Sequence, residues 1–252
     1  MSQLFADRPK DSETEKLFAR DCLRLEAVTT CVGFDDFLDA TLPLNMAQVD
    51  HMIVITTHED RATHRVANKY GATLVLTDLF RKNGRRFNKG AAINAGMDYF
   101  QWYGWRLHLD CDIALPEHAR RMLFNRTRLE QQCIYGCDRM DLVGLAELRR
   151  VRATPQNLYG GHIRIEAPLG HRFVDTLNNY SPIGFFQLWH ASCQRRYPYS
   201  LGTAAHDDTM FSATWKEEDR RHLPTVVVHH VLAAKTKHGE NWDGNRKQPR
   251  LA

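Results

Sequence analysis

The stretch that decides the fold is WRLHLDCD at residues 105–112. Its first five residues are a short apolar run of the kind that forms a buried strand. Two carboxylates, Asp110 and Asp112, follow at once, and both can turn toward one cation where a strand ends. Such a pair also arises by chance in a solvated turn, so its interpretation depends on the rest of the chain.

Strand and helix patterns alternate on both sides of this stretch. A β-branched run at 25–32, ended by Gly33, predicts a buried strand. This alternation predicts βαβ units, and hence an α/β fold with a mainly parallel twisted sheet and helices on both faces. Ligands of such sheets bind beyond the carboxyl ends of the strands. The other predicted strands are 51–57, 72–76 and 224–228, and the predicted helices are 35–46, 61–70, 91–103 and 209–215.

Length and composition indicate an ordinary globular protein. The chain has 252 residues, of which 43% are hydrophobic and 25% charged, enough for a substantial core. It contains neither an internal repeat nor a low-complexity linker. We therefore expect a single domain over 1–252, with a donor-binding half at about 25–116 and an acceptor and catalytic half at about 117–252.

Several classes of protein are disfavoured by the sequence. No window approaches the roughly 20 apolar residues of a membrane span, and residues 1–20 lack a hydrophobic signal segment. The six cysteines form neither a disulfide framework nor a zinc motif. The formal net charge of +4 permits a polyanionic partner without requiring one. These features predict a cytoplasmic protein, of a bacterial or virus-infected cell, with no membrane and no obligate protein partner.

Three further segments give the Asp-x-Asp pair a context. They are FNKGAAINAGM at 87–97, HDDTMF at 206–211 and VVVHH at 226–230. In this order and spacing, the segments resemble the elements of a family 2-like glycosyltransferase with the GT-A nucleotide-diphospho-sugar fold. The resemblance covers about residues 25–246. It implies metal-dependent, inverting transfer of a sugar from a UDP-sugar to an acceptor hydroxyl.

The resemblance implies a divalent cation, Mn²⁺ or Mg²⁺, held by oxygen-rich ligands. Asp112 would ligate the metal directly, and Asp110 would touch the ribose or the metal. A late histidine, His230, would complete the set. The adjacent His229 leaves the register open, because successive strand residues point to opposite faces.

The resemblance also implies residues that hold the nucleotide. Lys89 lies where relatives carry a basic residue near the uracil or the phosphates, and a helix start suits an anion. Asp60 resembles the acid that hydrogen-bonds uracil, with Glu59 as a competing candidate and capping of the next helix as the alternative role. Thr29 and Thr30 fall at the end of the first strand and are further candidates for nucleotide contact.

The acid pair Asp207 and Asp208 resembles the family motif whose second acid is the catalytic base. Adjacent carboxylates can raise each other's pKa, which helps one of them to accept a hydroxyl proton near neutral pH. Asp208 is therefore the predicted base and Asp207 its catalytic neighbour. The alternative is that the pair caps a helix that begins at Thr209.

The acceptor is less well specified. Within GFFQLWH at 184–190, Phe186 or Trp189 could stack on a sugar or a base, or the segment could be a buried core strand. Arginine pairs along the chain are compatible with a DNA backbone. Compact enzymes with this resemblance occur in bacteriophages that glycosylate 5-hydroxymethylcytosine in DNA, whose base would have to be flipped. A glycan or protein hydroxyl is the alternative acceptor.

Two other functions remain open at this stage. A nucleotidyltransferase uses a similar fold and paired acids, but it needs a glycine-rich basic loop after the first strand, where this chain has CVGFDD at 31–36. A non-catalytic sugar- or nucleic-acid-binding module would not need the acids of the catalytic mechanism. The chain has no GxGxxG after its first strand and no phosphate-binding Walker loop.

Overall fold

The structure is a computed structural model that describes residues 23–84, 87–153, 171–172, 180–199, 203–234, 243–247 and 249–251. Within these residues, one nine-stranded sheet runs through the molecule. Its strands are β1 Leu25–Thr30, β2 His51–Thr56, β3 Thr73–Leu76, β4 Trp105–Leu109, β5 Ile113–Ala114, β6 Ile134–Val143, β7 His171–Arg172, β8 Phe186–His190 and β9 Arg220–Leu232.

Helices connect and cover the strands. They are α1 Asp35–Met46, α2 Arg61–Tyr70, α3 Lys89–Met97, α4 Ala119–Arg121, α5 Gly144–Ala153 and α6 Ala204–Ser212. Short 3₁₀ turns occur at Leu79–Gly84, Ala191–Cys193 and Glu217–Asp219, and a π-helical turn at Met122–Arg126.

The sheet has a parallel half and a mixed half, in the order β3-β2-β1-β4-β8-β6-β9-β5, with β7 paired to β6. Strands β1 to β4 are all parallel. Strand β8 runs antiparallel to β4 and β6, β9 is parallel to β6, and β5 is antiparallel to β9. The predicted α/β sheet is confirmed, and each of its antiparallel pairs includes at least one strand that follows β4 in the sequence.

Helices pack on both faces of the sheet. Ala27 and Val28, adjacent in β1, belong to two separate hydrophobic clusters because they point to opposite faces. The face of Val28 is covered by α3, which approaches closely at Gly96, where an added Cβ would overlap the Ile55 side chain. The opposite face is covered by α1, whose Leu42 is fully buried.

Several predicted boundaries agree with the structure, and others do not, among them those of β9, which runs over Arg220–Leu232 instead of 224–228. The bounds of α1, α2 and β4 are those predicted. Helix α3 begins earlier than predicted because Asn88 caps it by accepting a hydrogen bond from the Ala91 NH, and it ends at Met97 instead of residue 103. Helix α6 begins at Ala204 instead of residue 209.

Helix α1 continues past Pro43 because tertiary contacts hold its last turn. The Thr41 hydroxyl donates to the Cys111 carbonyl at 2.7 Å. Asn45 donates to the Ile113 carbonyl and accepts from the Leu115 NH, each at 2.7 Å. These bonds join α1 to the chain around Asp110 and Asp112, so the helix fixes the backbone that presents both carboxylates.

In the part of the chain that the structure describes, no helix is both long and apolar enough to cross a membrane. The five cysteines of this part are free thiols. The segment at 158–170, in which Gly160-Gly161 and Pro168-Leu169-Gly170 predict a loop, lies outside the described residues.

Candidate active site

The chain turns sharply after β4. The Ile113 NH donates to the Asp110 carbonyl at 3.1 Å, and the Asp112 carbonyl accepts from the Val231 NH of β9 at 2.9 Å. Since a turn instead of a continuing strand separates the two acids, their carboxylates meet different neighbours. Asp110 faces α3 and α6, and Asp112 faces β9.

Lys89, the first residue of α3, links two acids that are distant in the sequence. Its ammonium lies 2.6 Å from Asp110 Oδ1 and 3.1 Å from Asp208 Oδ2, and its side chain is only 5% exposed. Burial by itself would lower the pKa of Lys89, but the two carboxylates raise it above its usual value. We call Lys89, Asp110 and Asp208 the lysine cluster.

Asp207 and Asp208 lie inside α6, one turn after its start. The predicted alternative, that the pair caps the helix, is wrong, because the residue before the first turn is Thr203. Asp207 accepts a hydrogen bond from the Gly90 NH at 2.9 Å, so it satisfies a backbone donor at the start of α3. The two acids therefore have different partners: Asp207 joins α6 to α3, and Asp208 faces Lys89.

Asp208 has the electrostatic environment of a base that works near neutral pH. Burial raises its pKa to about 7; Lys89 lowers it, and Asp110 adds a further rise. Its Oδ1 is buried and has no hydrogen-bond partner among the described residues. Gly184 lies against the carboxylate, and an added Cβ there would overlap it. The second oxygen of Asp208 is thus an unused acceptor beside a position that has no side chain.

His230 lies beside the other acid of the pair. Its Nε2 is 3.3 Å from Asp112 Oδ2, and its Nδ1 is 2.6 Å from Asp141 Oδ1. The adjacent His229 points to the other face of β9, where burial and Arg152 lower its pKa to about 4. The structure therefore brings His230, and not His229, to Asp112. We call Asp112, His230 and Asp141 the histidine cluster.

The spacing of Asp112 and His230 fits a divalent cation. Two ligands at about 2.1 Å from one Mg²⁺ or Mn²⁺ lie about 3 Å apart, close to the 3.3 Å between Oδ2 and Nε2. Asp110 points instead at Lys89, and the described residues contain no group of three His, Cys, Asp or Glu placed to hold a metal. Two protein ligands leave the remaining positions to substrate oxygens, as is usual for Mg²⁺.

Of the predicted nucleotide contacts at the ends of β1 and β2, Asp60 is engaged within the protein and the two threonines are buried. Asp60 caps α2 by accepting from the Thr63 NH at 3.1 Å, and its Oδ2 also accepts from the Gly33 NH at 2.8 Å. Thr29 and Thr30 are buried within the sheet. The structure places these residues at the expected edge of the sheet, where β1 runs parallel to β4 and ends beside it.

The aromatic segment is part of the core. Phe186 and Trp189 are fully buried in β8, and Trp189 packs edge-on against Phe211 with ring centroids 5.0 Å apart. Stacking of either residue on a sugar or a base is therefore wrong as a prediction, since neither reaches the surface. The alternative, a buried aromatic core strand, is correct.

Sequence reasoning missed Gln187, Gly184 and Asp141. Gln187 of β8 donates to the Asp208 carbonyl at 3.0 Å and accepts from the Tyr197 hydroxyl at 2.5 Å. It holds α6 at the residue that carries the predicted base. Gly184 and Gln187 lie in the segment at 184–190, which the sequence marks only by its aromatic residues, and Asp141 lies in no motif. The importance of these three residues arises from packing between distant segments.

The C-terminal residues lie over the same edge of the sheet. Arg246 binds both oxygens of Asp36, at 2.6 and 2.7 Å, and donates to the Gly33 carbonyl at 3.0 Å. Gly244 packs against the Phe87 ring, near the start of α3. Residues 243–247 therefore connect the chain after β1 with the chain before Lys89.

No protein-family model matches the chain, and no curated protein matches it. Solved structures do. Mannosyl-3-phosphoglycerate synthase from Rubrobacter xylanophilus superposes with a TM-score of 0.51 at 17% identity, over 93% of this chain and 73% of that one. Glucosyl-3-phosphoglycerate synthase from Mycobacterium tuberculosis, in complex with Mn²⁺, UDP-glucose and phosphoglyceric acid, has a TM-score of 0.48 at 14% identity, over 95% and 81%. With the sheet order described above, the mannosyl enzyme shows that this chain has a GT-A-like glycosyltransferase fold.

Proposed function

We propose that this chain is a metal-dependent, inverting glycosyltransferase that moves a sugar from a UDP-sugar to an acceptor hydroxyl. One observation carries the proposal: Lys89 joins Asp110 to Asp208 at the same turn where Asp112 meets His230. Four segments that are distant in sequence thus bring three carboxylates, a lysine and an imidazole together, which supports roles for them in donor binding and proton removal. A merely solvated turn after β4 would not bring these side chains together.

Asp112 and His230 would hold Mn²⁺ or Mg²⁺. When bound, the cation supplies positive charge that neutralises the diphosphate of the donor as the bond to the sugar breaks. Lys89 offers a second, fixed positive charge next to the Asp110 carboxylate. The other oxygen of Asp110, to which none of the described residues donates a hydrogen bond, would accept one from a ribose hydroxyl.

Asp208 would act as the base. Its Oδ1 takes the proton of the acceptor hydroxyl, and the oxygen then forms a bond to the anomeric carbon from the side opposite the leaving diphosphate. The bond between the anomeric carbon and the diphosphate oxygen breaks, and UDP leaves with that electron pair. One direct displacement inverts the configuration at the anomeric carbon.

The acceptor in this proposal is a hydroxyl group, and DNA containing 5-hydroxymethylcytosine is one acceptor to test. The predicted arginine pairs give DNA little support, because several lie at the opposite edge of the sheet. Arg120 binds Asp50, before β2, and Arg196 binds the Asn94 carbonyl near the end of α3. Arg220 begins β9 and pairs with the first residue of β6. These side chains do not line the lysine and histidine clusters.

The test is UDP release from a panel of UDP-sugars with Mn²⁺, without an acceptor and with each of three: DNA containing 5-hydroxymethylcytosine, small glycans and hydroxylated peptides. We expect acceptor-dependent UDP release by the wild type, strong reduction by EDTA, and product with inverted configuration by NMR. Asp98→Asn is the matched control, since Asp98 is an exposed carboxylate paired with Arg196. Pyrophosphate release from nucleoside triphosphates would instead indicate a nucleotidyltransferase, and no turnover of any donor would leave only a binding module.

A further inference from the structure

Two carboxylate–histidine pairs join strands β6 and β9. Asp138 Oδ1 lies 3.0 Å from His222 Nε2, and Asp141 Oδ1 lies 2.6 Å from His230 Nδ1. The two pairs differ at the other imidazole nitrogen. For His230 that nitrogen faces Asp112 at 3.3 Å. For His222, no second carboxylate lies within ion-pair distance among the described residues.

The backbone sets the Asp141–His230 distance. These residues are register partners on parallel strands, so the strand ladder holds their side chains side by side. Both are buried, with exposures of 3% for Asp141 and 8% for His230. Asp141 is itself held by Arg139, whose Nε lies 3.2 Å from the same Oδ1. The imidazole ring therefore has little freedom to rotate.

We propose that Asp141 is a positioning residue that fixes His230 so that Nε2 faces the cation shared with Asp112. This inference rests on the proposed function. When Nδ1–H donates to Asp141, the lone pair of a neutral imidazole is on Nε2, the atom beside Asp112. Carboxylates in this position orient metal-binding histidines and raise their basicity, and their loss weakens metal affinity by about 10- to 100-fold.

The first test compares Mn²⁺ affinity in the presence of UDP, by calorimetry, for wild type, Asp141→Asn and Asp138→Asn. Asp138→Asn is the matched control, since it removes the same charge from the same strand at the other pair. We expect about 10- to 100-fold weaker binding for Asp141→Asn and wild-type affinity for Asp138→Asn. Wild-type affinity of Asp141→Asn, or equal weakening of both variants, would overturn the proposal.

The second test needs no metal. Long-range ¹⁵N–¹H correlation spectra of the metal-free protein report which imidazole nitrogen of His230 carries the proton. We expect Asp141→Asn to change the Nδ1 shift of His230 and to leave His222 unchanged. Identical His230 shifts in wild type and variant would show that Asp141 does not fix the ring.

A further variant guards against misfolding of Asp141→Asn. Asp141→Ala leaves space for a small carboxylate, and we expect added formate to restore part of its Mn²⁺ affinity, which a purely structural loss would not allow. Failure of formate to restore any affinity in folded Asp141→Ala would count against the proposal. A wild-type protein that binds no Mn²⁺ with UDP would overturn the proposed function as well, whereas an unaffected Asp141→Asn would overturn this inference alone.

Discussion

The lysine cluster and the histidine cluster each contain one acid of the Asp-x-Asp pair, and the two clusters differ in their source of positive charge. In the first, Asp110 and Asp208 share a cation that belongs to the protein, the ammonium of Lys89. In the second, Asp112 and Asp141 share the imidazole of His230, which carries a positive charge only when it is protonated. The two acids of one Asp-x-Asp motif can therefore have separate tasks, because the turn after β4 directs them to different partners.

The largest expected effect is at the base. Asp208→Asn keeps the shape of the side chain but cannot accept a proton, so we expect kcat to fall by about 10²- to 10⁴-fold. Because donor binding does not require the base, UDP should still bind with wild-type affinity in a calorimetric titration. Activity within threefold of wild type would refute the role of Asp208.

The second effect tests the other cluster. Asp112→Ala removes one of two cation ligands, and we expect kcat/KM for UDP release to fall by about 10³-fold, corresponding to about 4 kcal/mol. The loss should equal that of wild type treated with EDTA, and the EDTA-treated variant should lose nothing further. An Asp112→Ala enzyme that still responds to Mn²⁺ as wild type does would place the cation elsewhere.

The third effect probes geometry without a change of charge. An alanine Cβ at position 184 would displace the Asp208 carboxylate, and a shift of about 1 Å can cost about 10²-fold in rate. The matched measurement adds Gly184→Ala to Asp208→Asn, where we expect little further loss because the displaced group is already inactive. Full additivity of the two losses would mean that Gly184 acts through something other than Asp208.

The smallest effect is in the pH profile. Since Asp208 accepts a proton only when ionised, kcat/KM should fall as the pH drops through about 7, its raised pKa. Lys89 lowers that pKa while burial and Asp110 raise it, so Lys89→Met should move the acidic limb upward, by about 1–3 pH units. Stopped assays between about pH 5.5 and 9.5 measure the acidic limb of the wild type and of the variant. An unchanged limb in the variant would separate Lys89 from Asp208.

Much of the parallel half could be predicted because its signals are local. The bounds of α1, α2 and β4 follow from apolar periodicity and from end signals such as Gly71, which adopts a left-handed conformation after α2. The start of α6 was missed because Asp207 and Asp208 look like capping residues in sequence. Tertiary contacts extend the helix by a turn, and Asp207 bonds to the Gly90 NH of α3 instead.

For the site, the amino-acid sequence specifies which residue types are present and in what order: the Asp-x-Asp pair after a strand, the acid pair, and a late histidine. Which of these side chains meet depends on the fold. Because side chains alternate along β9, His230 and not His229 faces Asp112. The turn after β4 directs the Asp110 and Asp112 carboxylates to different neighbours, and packing between distant segments brings Asp141 and Gly184 to the site. The physical reason is that periodicity and capping are properties of neighbouring residues, whereas a shared proton or cation requires side chains from distant segments within about 3 Å of each other.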